Sequence, residues 1–385
     1  MQILITGICG FVGSTLAKGL VEAGHQVTGI DNLIRPGSQL NVAPLKAIGV
    51  TLLHGDIRNP SDLETLPKVD WVLDCAANAS VLAGIDGKTS SRQLVEHNLG
   101  GTINLLEYCR QHQAGFLLLS TSRVYSIPPL AELKMKVEID GTKNRYTPNT
   151  SAIRDLESAF DLPQSAISPQ GISEKFPTQA PVSLYGATKL ASEQLALDYG
   201  HAYDFPVWIN RCGVMAGAGQ FGHPAQGIFA FWIHSFREGR PLKYIGFDGL
   251  GHQVRDCLHP KDLLPLLEKQ FKTNNQKPGT KNQEPETRNQ EQAAPPAILN
   301  ISGGLVNSMS LAELTAWCQK RFPGSKTECA SNPDPRAYDI PWMVLDHQKA
   351  QDTWGWKPET NIETVCEEIA QFAEQNPDWI NFSRA

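Results

Sequence analysis

Gln2-Ile3-Leu4-Ile5-Thr6-Gly7-Ile8-Cys9-Gly10-Phe11-Val12-Gly13 opens the chain with an apolar run that passes directly into a GxxGxxG pattern. A glycine triplet alone is common, and its neighbours give it weight. Ile3-Leu4-Ile5 reads as a strand, and residues 13–23 read as an amphipathic helix. In that setting Gly7 allows the tight turn, Gly10 lets the backbone approach a pyrophosphate, and Gly13 lets the helix pack close to the strand. The helix start, with Phe11 and Val12, presents free N–H groups and partial positive charge to phosphates.

Outward from this stretch the same grammar repeats. Val27-Thr28-Gly29-Ile30, Thr51-Leu52-Leu53, Trp71-Val72-Leu73 and Phe116-Leu117-Leu118-Leu119 are short apolar runs of the kind buried on both faces of a parallel sheet. Helical stretches, such as residues 98–112, lie between them. A helix over 187–203 leads to one more strand, Val207-Trp208-Ile209. Strand–helix alternation predicts an α/β fold, a Rossmann-type doubly wound parallel sheet with right-handed crossovers. The expected organisation is a dinucleotide-binding domain over 1–212 and, mainly over 213–385, a smaller C-terminal substrate-binding lobe with helices at 311–321 and 362–374. Two stretches interrupt it. Residues 127–181 form an insertion with apolar anchors at Phe160, Leu162 and Phe176, and the spacing of Arg145, Arg154 and Lys175 assigns it no structure. Residues 272–296 hold no aromatic and no aliphatic side chain larger than alanine. Such a segment cannot offset its ordering entropy, so a disordered low-complexity loop is expected.

Asp31 ends the second strand, eighteen residues after Gly13, with Asn32 beside it. A carboxylate there accepts hydrogen bonds from an adenosine ribose and repels a 2′-phosphate, which favours NAD over NADP. The bland alternative is a turn residue, and Arg35 blurs the choice because a nearby arginine would welcome that phosphate. Asp56-Ile57 and Ala76-Ala77 follow the third and fourth strands at their carboxyl ends, where ligands bind in such sheets.

Bulk composition narrows the partners. The 385 residues carry a net charge of −6, so nucleic acid and anionic membranes are not expected partners. No run of 18 apolar residues occurs, and the N-terminus lacks the basic flank and cleavage site of a signal peptide, so the domain is expected to begin at residue 1. The eight cysteines form no CxxC pair and lie at no zinc spacing to histidine, so no metal is expected. Free thiols are expected, in a reducing cytoplasm.

Tyr185 and Lys189 stand four apart in Tyr-Gly-Ala-Thr-Lys, on one face of the expected helix. An ammonium near a phenol lowers its pKa from about 10. The phenolate then takes a hydroxyl proton while the carbon gives hydride to the cofactor. YxxxK by itself is common on surfaces. Thr121, after the fifth strand, adds a hydroxyl aimed at the same substrate oxygen.

The set Gly7, Gly10, Gly13, Asp31, Thr121, Tyr185 and Lys189 resembles the extended short-chain dehydrogenases that modify nucleotide sugars. Asn98-Leu99-Gly100-Gly101-Thr102 resembles that family's Asn-x-x-Gly-Thr helix, which implies that Asn98 lies at the cofactor. Arg211 to Gln220 resembles its substrate loop, and Gly251 to His259 its Gly-x-Gln-x-Arg-Asp-x-x-His segment. The resemblance implies substrate contacts from Ser122, Arg123, Arg211, Gln226, Arg255 and Arg336, with Arg255, and a second arginine at Arg336, on the diphosphate; a surface arginine is the alternative at 336. Within the family the chain looks most like the CDP-paratose 2-epimerase branch. Ser122-Arg123 stands where 4,6-dehydratases carry Asp-Glu, and Gln226-Gly227 and Asn307 to Leu311 also match. Implied are NAD, a nucleotide-sugar substrate, a homo-oligomer (dimer or tetramer), and epimerisation by transient oxidation and hydride return. A one-way dehydrogenase, reductase or decarboxylase of the same fold remains open. A non-catalytic NAD-binding protein could dispense with Tyr185 or Lys189, and both are present.

Overall fold

In a computed structural model of the chain, described at residues 1–87, 90–223, 226–273 and 295–382, the opening motif lies at the centre of a parallel sheet. The first strands are β1 (Gln2–Thr6), β2 (Gln26–Asp31), β3 (Thr51–His54), β4 (Trp71–Asp74) and β5 (Gly115–Thr121). They alternate with α1 (Phe11–Glu22), α2 (Val42–Ala47), α3 (Pro60–Glu64), α4 (Ser91–Val95) and α5 (Gly101–His112). Residues 127–181 follow, as α6 (Ile127–Ala131), the hairpin β6 (Met135–Asp140) and β7 (Lys143–Pro148), α7 (Thr150–Ala159), and the short pair β8 (Ile167–Ser168) and β9 (Gly171–Ile172). Then come α8 (Leu184–Tyr203), β10 (Val207–Cys212), β11 (Val214–Met215), α9 (Ile228–Glu238), β12 (Leu242–Ile245), β13 (Val254–Leu258) and α10 (Leu264–Lys272). The chain ends with β14 (Ile298–Ile301), β15 (Ser308–Ser310), α11 (Leu311–Arg321), β16 (Cys329–Asn332), β17 (Trp342–Met343), α12 (Gln348–Trp354), α13 (Ile362–Gln375) and α14 (Trp379–Phe382).

The main sheet runs β14-β10-β5-β4-β1-β2-β3, parallel throughout. Its inner strands β1, β4, β5 and β10 are buried on both faces because alternate residues meet different helices, while the edge strand β3 is only partly buried. Ile3, Ile5, Leu73, Leu117, Leu119, Trp208, Leu299 and Ile301 pack with α1 and α10; Leu4, Val72, Phe116, Leu118, Val207 and Ile209 pack with α5 and α8. The C-terminal part has a core of its own, in which Phe229, Trp232 and Phe236 of α9 meet Leu314 of α11 and Val365 and Ile369 of α13. Among the described residues no helix is long and apolar enough to cross a membrane.

The 127–181 stretch is ordered by its apolar side chains. Leu130, Leu156, Leu162, Ile167 and Phe176 share a core with Trp342 and Val344. Arg145, which the spacing left without a place, reaches from β7 to bind Glu313 of α11 with both Nε and Nη2, each 2.6 Å from a carboxylate oxygen. Of the expected loop at 272–296, residues 274–294 lie outside the described residues.

Candidate active site

A single cavity of about 1120 Å³ runs from the glycine turn across the carboxyl ends of the sheet into the C-terminal lobe. That exceeds the usual volume of a one-ligand pocket, roughly 300–1,000 Å³, and leaves room for two molecules side by side.

At one end, Gly7 has φ +58°, a left-handed conformation, and a Cβ on it would lie 2.9 Å from the Ala76 Cα. A Cβ on Gly13 would lie 2.4 Å from the Gly7 carbonyl oxygen and 2.8 Å from the Ile8 Cα, so only glycine lets α1 sit this close to β1. The Gly10 N–H donates to the Gly7 carbonyl, and α1 begins at Phe11 with its first N–H groups at the cavity. Asp31 braces this turn. Its carboxylate accepts from the Cys9 N–H and the Leu33 N–H, each at 2.8 Å, and burial first raises its pKa against these bonds. Burial, then the Asp31 charge, pushes the Cys9 thiol up to about 12, so it is an unreactive filler of the turn. Asn32 donates to Asp56, and Arg58 binds the same carboxylate at 2.6 Å; against the burial that opposes its charge, these bonds hold Asp56 well below the usual carboxylate range. Gly7, Gly10, Phe11, Val12, Gly13, Asp31, Asn32, Asp56, Ile57, Ala76 and Ala77 all line the cavity. The turn, the helix N-terminus and the carboxylate together fit a dinucleotide.

In the middle, β5 delivers Thr121 and α8 delivers Tyr185 and Lys189, all three on the wall and buried. The Arg123 N–H donates to Thr121 Oγ1 at 3.1 Å, which leaves the Thr121 hydrogen free to turn toward Tyr185, whose pKa the Thr121 hydroxyl lowers. Gly186 packs on the Arg123 carbonyl (a Cβ would be 2.2 Å away), so the turn after Thr121 rests on the first turn of α8. One expectation is corrected here. Lys189 was expected to lower the Tyr185 phenol, whereas burial pushes it up to about 12, and the groups opposing burial are the Thr121 hydroxyl and the Arg123 guanidinium. The phenol of the protein alone is therefore neutral at neutral pH.

Beyond lies a cationic wall. Arg255 Nη2 and Arg336 Nη2 each lie 3.0 Å from a different oxygen of Asp339, so both predicted arginines share one carboxylate. Arg123 is held by burial to about 10 and donates to the Tyr338 carbonyl at 3.5 Å. Three guanidiniums against Asp339, with Asp256 also acting on Arg255, still leave an excess positive charge suited to a diphosphate. Ser122 lies beside them on the wall.

Three expected contacts are placed differently. Asn98 stands behind the wall, where its amide donates to the Asn78 carbonyl and Thr188 Oγ1 while its oxygen accepts from the Asn78 N–H; it orients Asn78, which does line the cavity. Arg211 is also behind the wall, its guanidinium spent on Glu193 and on the Tyr125 ring. Gln226 lines the cavity, but its side-chain oxygen accepts from Arg35 Nη1 at 2.7 Å. Asn78, Phe221, Trp232, Lys243 and Asp339, which belong to no recognised motif, also line the cavity. Of these only Asp339, three residues after Arg336, carried a readable signal, an acid at ion-pair spacing.

The chain matches the family described as NAD dependent epimerase/dehydratase over residues 3–151 and 159–280. It is 30% identical to the CDP-paratose 2-epimerase of Salmonella typhi, over 94% of this chain and 96% of that one. It is 25% identical to the UDP-glucuronate 4-epimerase of Thermodesulfobacterium geofontis, over 98% and 97%. Among solved structures, UDP-glucose 4-epimerase from Thermotoga maritima with UDP-glucose superposes with a TM-score of 0.71 at 19% identity, covering 97% of this chain and 99% of that one. UDP-glucuronic acid 4-epimerase from Bacillus cereus, in complex with UDP-glucuronic acid and NAD, gives 0.69 at 21% identity with the same coverage.

Proposed function

The chain belongs to the NAD dependent epimerase/dehydratase family and is an NAD-dependent nucleotide-sugar epimerase, and from that premise we propose that it inverts carbon 2 of a CDP-linked sugar, in the manner of CDP-paratose to CDP-tyvelose. The observation that carries this reading is Thr121 and Tyr185, buried together on the cavity wall, followed by Ser122-Arg123 where a dehydratase needs an acid. Loss of a ring hydroxyl needs a proton donor at the leaving oxygen, and this turn offers none. Oxidation of a hydroxyl needs only a base for its proton, which Tyr185 would supply once ionised, with the Thr121 hydroxyl beside it.

NAD, when bound, takes the hydride and returns it. The protein's own part is proton handling and orientation. Tyr185 would act as the phenolate, which Lys189 and the positive nicotinamide of bound NAD would favour: its oxygen receives the hydroxyl proton beside the Thr121 hydroxyl, and Tyr185 returns that proton when the carbonyl is reduced. Arg123, Arg255 and Arg336 hold the diphosphate, so the sugar keeps its tether while it turns its other face to the cofactor. The relation to CDP-paratose 2-epimerase, which extends over nearly the whole chain, supports the base and the carbon.

The test is to offer purified protein CDP-, UDP-, GDP- and dTDP-sugars and identify the products by NMR. Inversion at carbon 2 of a CDP-sugar is expected. Inversion at carbon 4 of a UDP-sugar, or stoichiometric NADH release, would replace this reading.

A further inference from the structure

The preference for NAD rests on Asp31 in the sequence, yet Arg35 lines the same cavity four residues later and is the kind of residue that accepts a 2′-phosphate. The structure shows what occupies it. Arg35 Nη1 donates to the Gln226 side-chain oxygen at 2.7 Å, and Nη2 to the Phe221 carbonyl at 3.0 Å. Its guanidinium carbon lies 5.8 Å from the centre of the Phe221 ring. The loop beneath is fixed as well. Leu33 and Gly37 hold positive φ of 55° and 93°, and a Cβ on Gly37 would lie 2.4 Å from Phe221 Cε1. Phe221 in turn stacks on Trp379, centroids 5.0 Å apart. Arg35, a cation four residues after the Asp31 carboxylate, is thus drawn toward the C-terminal lobe by groups of that lobe.

We propose that Gln226 is a cofactor-selectivity residue acting through Arg35: by holding the guanidinium against the substrate-side lobe, it denies a 2′-phosphate its cation, so that Asp31 repels NADP and Arg35 does not rescue it. This inference rests on the reading of the cavity as a nucleotide-sugar epimerase's NAD site, and it assigns Gln226 a positioning role rather than a substrate contact. Two locks on one choice have a testable signature, which is that opening either alone does little.

Purified wild type, Asp31→Asn, Gln226→Leu, the double variant, and the double variant with Arg35→Met are each dialysed against equimolar NAD and NADP. The protein is then denatured and the released nucleotides are quantified. Wild type is expected to carry NAD. The double variant should raise the NADP:NAD ratio about 10- to 100-fold above Asp31→Asn alone, the contribution of a charge-assisted hydrogen bond to phosphate. Adding Arg35→Met should abolish the gain. Asp31→Asn with Gln226→Glu, which restores an acceptor for Arg35, should return the ratio to that of Asp31→Asn. Melting curves of every variant separate selectivity from misfolding. A double variant no better than Asp31→Asn, or a gain that survives Arg35→Met, overturns the inference and leaves the epimerase reading untouched. Wild type loaded with NADP overturns the NAD assignment itself.

Discussion

Glu193→Leu should destabilise this protein far more than an average substitution, and Arg211→Met together with it should recover much of the loss. The two side chains are 2% and 7% exposed, and the guanidinium lies 2.6 Å from the carboxylate at Nη2. Ser120 Oγ donates to the same carboxylate, and Arg211 lies over the Tyr125 ring, whose hydroxyl donates to Asn300. Although burial opposes the Arg211 charge, Tyr125 and Glu193 raise its pKa, so it stays ionised and cannot escape by losing its proton. Removing one partner strands the other charge, a loss of about 3–5 kcal/mol, whereas removing both and filling the space with apolar atoms strands only neutral hydroxyls, about 1–3 kcal/mol. At about 2.1 cal/mol/K per residue, the single variant should melt about 4–6 °C lower. Thermal unfolding of wild type, both singles and the double closes the cycle. A double variant as unstable as the sum of its singles would refute the buried-charge account. The outcome bears on catalysis because Glu193 sits one turn beyond Lys189 on α8 and Ser120 precedes Thr121, so the pair ties the two elements that meet at Tyr185.

Other outcomes follow from the same geometry. Tyr185→Phe should lower kcat by about 10²–10⁴ while the nucleotide stays bound, since the cradle for it lies elsewhere; wild-type turnover would remove the phenol from the mechanism. In NAD-free protein, the tyrosinate signal lost in Tyr185→Phe should titrate near 12. The sign is that of a raised pKa: the phenol's contribution to stability is full below its ordinary value of 10 and is lost as pH rises through about 12, and an ultraviolet titration with a midpoint at 10 or lower would contradict the burial argument. Gly13→Ala places a methyl on backbone atoms that cannot move aside, so about 1–3 kcal/mol of stability and most nucleotide affinity should be lost; a variant that melts like wild type would show α1 free to shift. In D₂O the product should carry no deuterium at the inverted carbon, because hydride returns internally; about one deuterium per turnover by mass spectrometry would indicate enolisation instead.

The sheet was readable because parallel strands buried on both faces leave unbroken apolar runs, and because Gly7 and Gly13 answer to backbone sterics that no other residue meets. Strand ends then placed Asp31, Asp56 and Thr121 without further information. The insertion was not readable. Its stability comes from Leu130, Leu156 and Phe176 meeting Trp342 and Val344, partners more than 160 residues downstream, and no local period announces such a contact. The two displaced arginine and asparagine contacts failed for a related reason. The resemblance to the family implied that Arg211 and Asn98 face the ligands, but which side of the wall a side chain serves depends on Glu193 and Asn78, groups brought alongside only by folding. The expected lowering of the Tyr185 pKa missed for the same reason, since its spacing to Lys189 is local while its burial is a property of the whole cavity.

The order of synthesis has a cost set by the topology. β10 ends at Cys212, but the strand that covers its outer edge, β14, is not made until Ile298–Ile301. At roughly 5–20 residues per second, a ribosome leaves the edge of Val207–Cys212 bare for roughly 5–20 seconds. A bare apolar edge is a template for pairing with other chains. A slow stretch of translation between the two strands would therefore lower the yield of soluble enzyme without altering any residue of the finished protein.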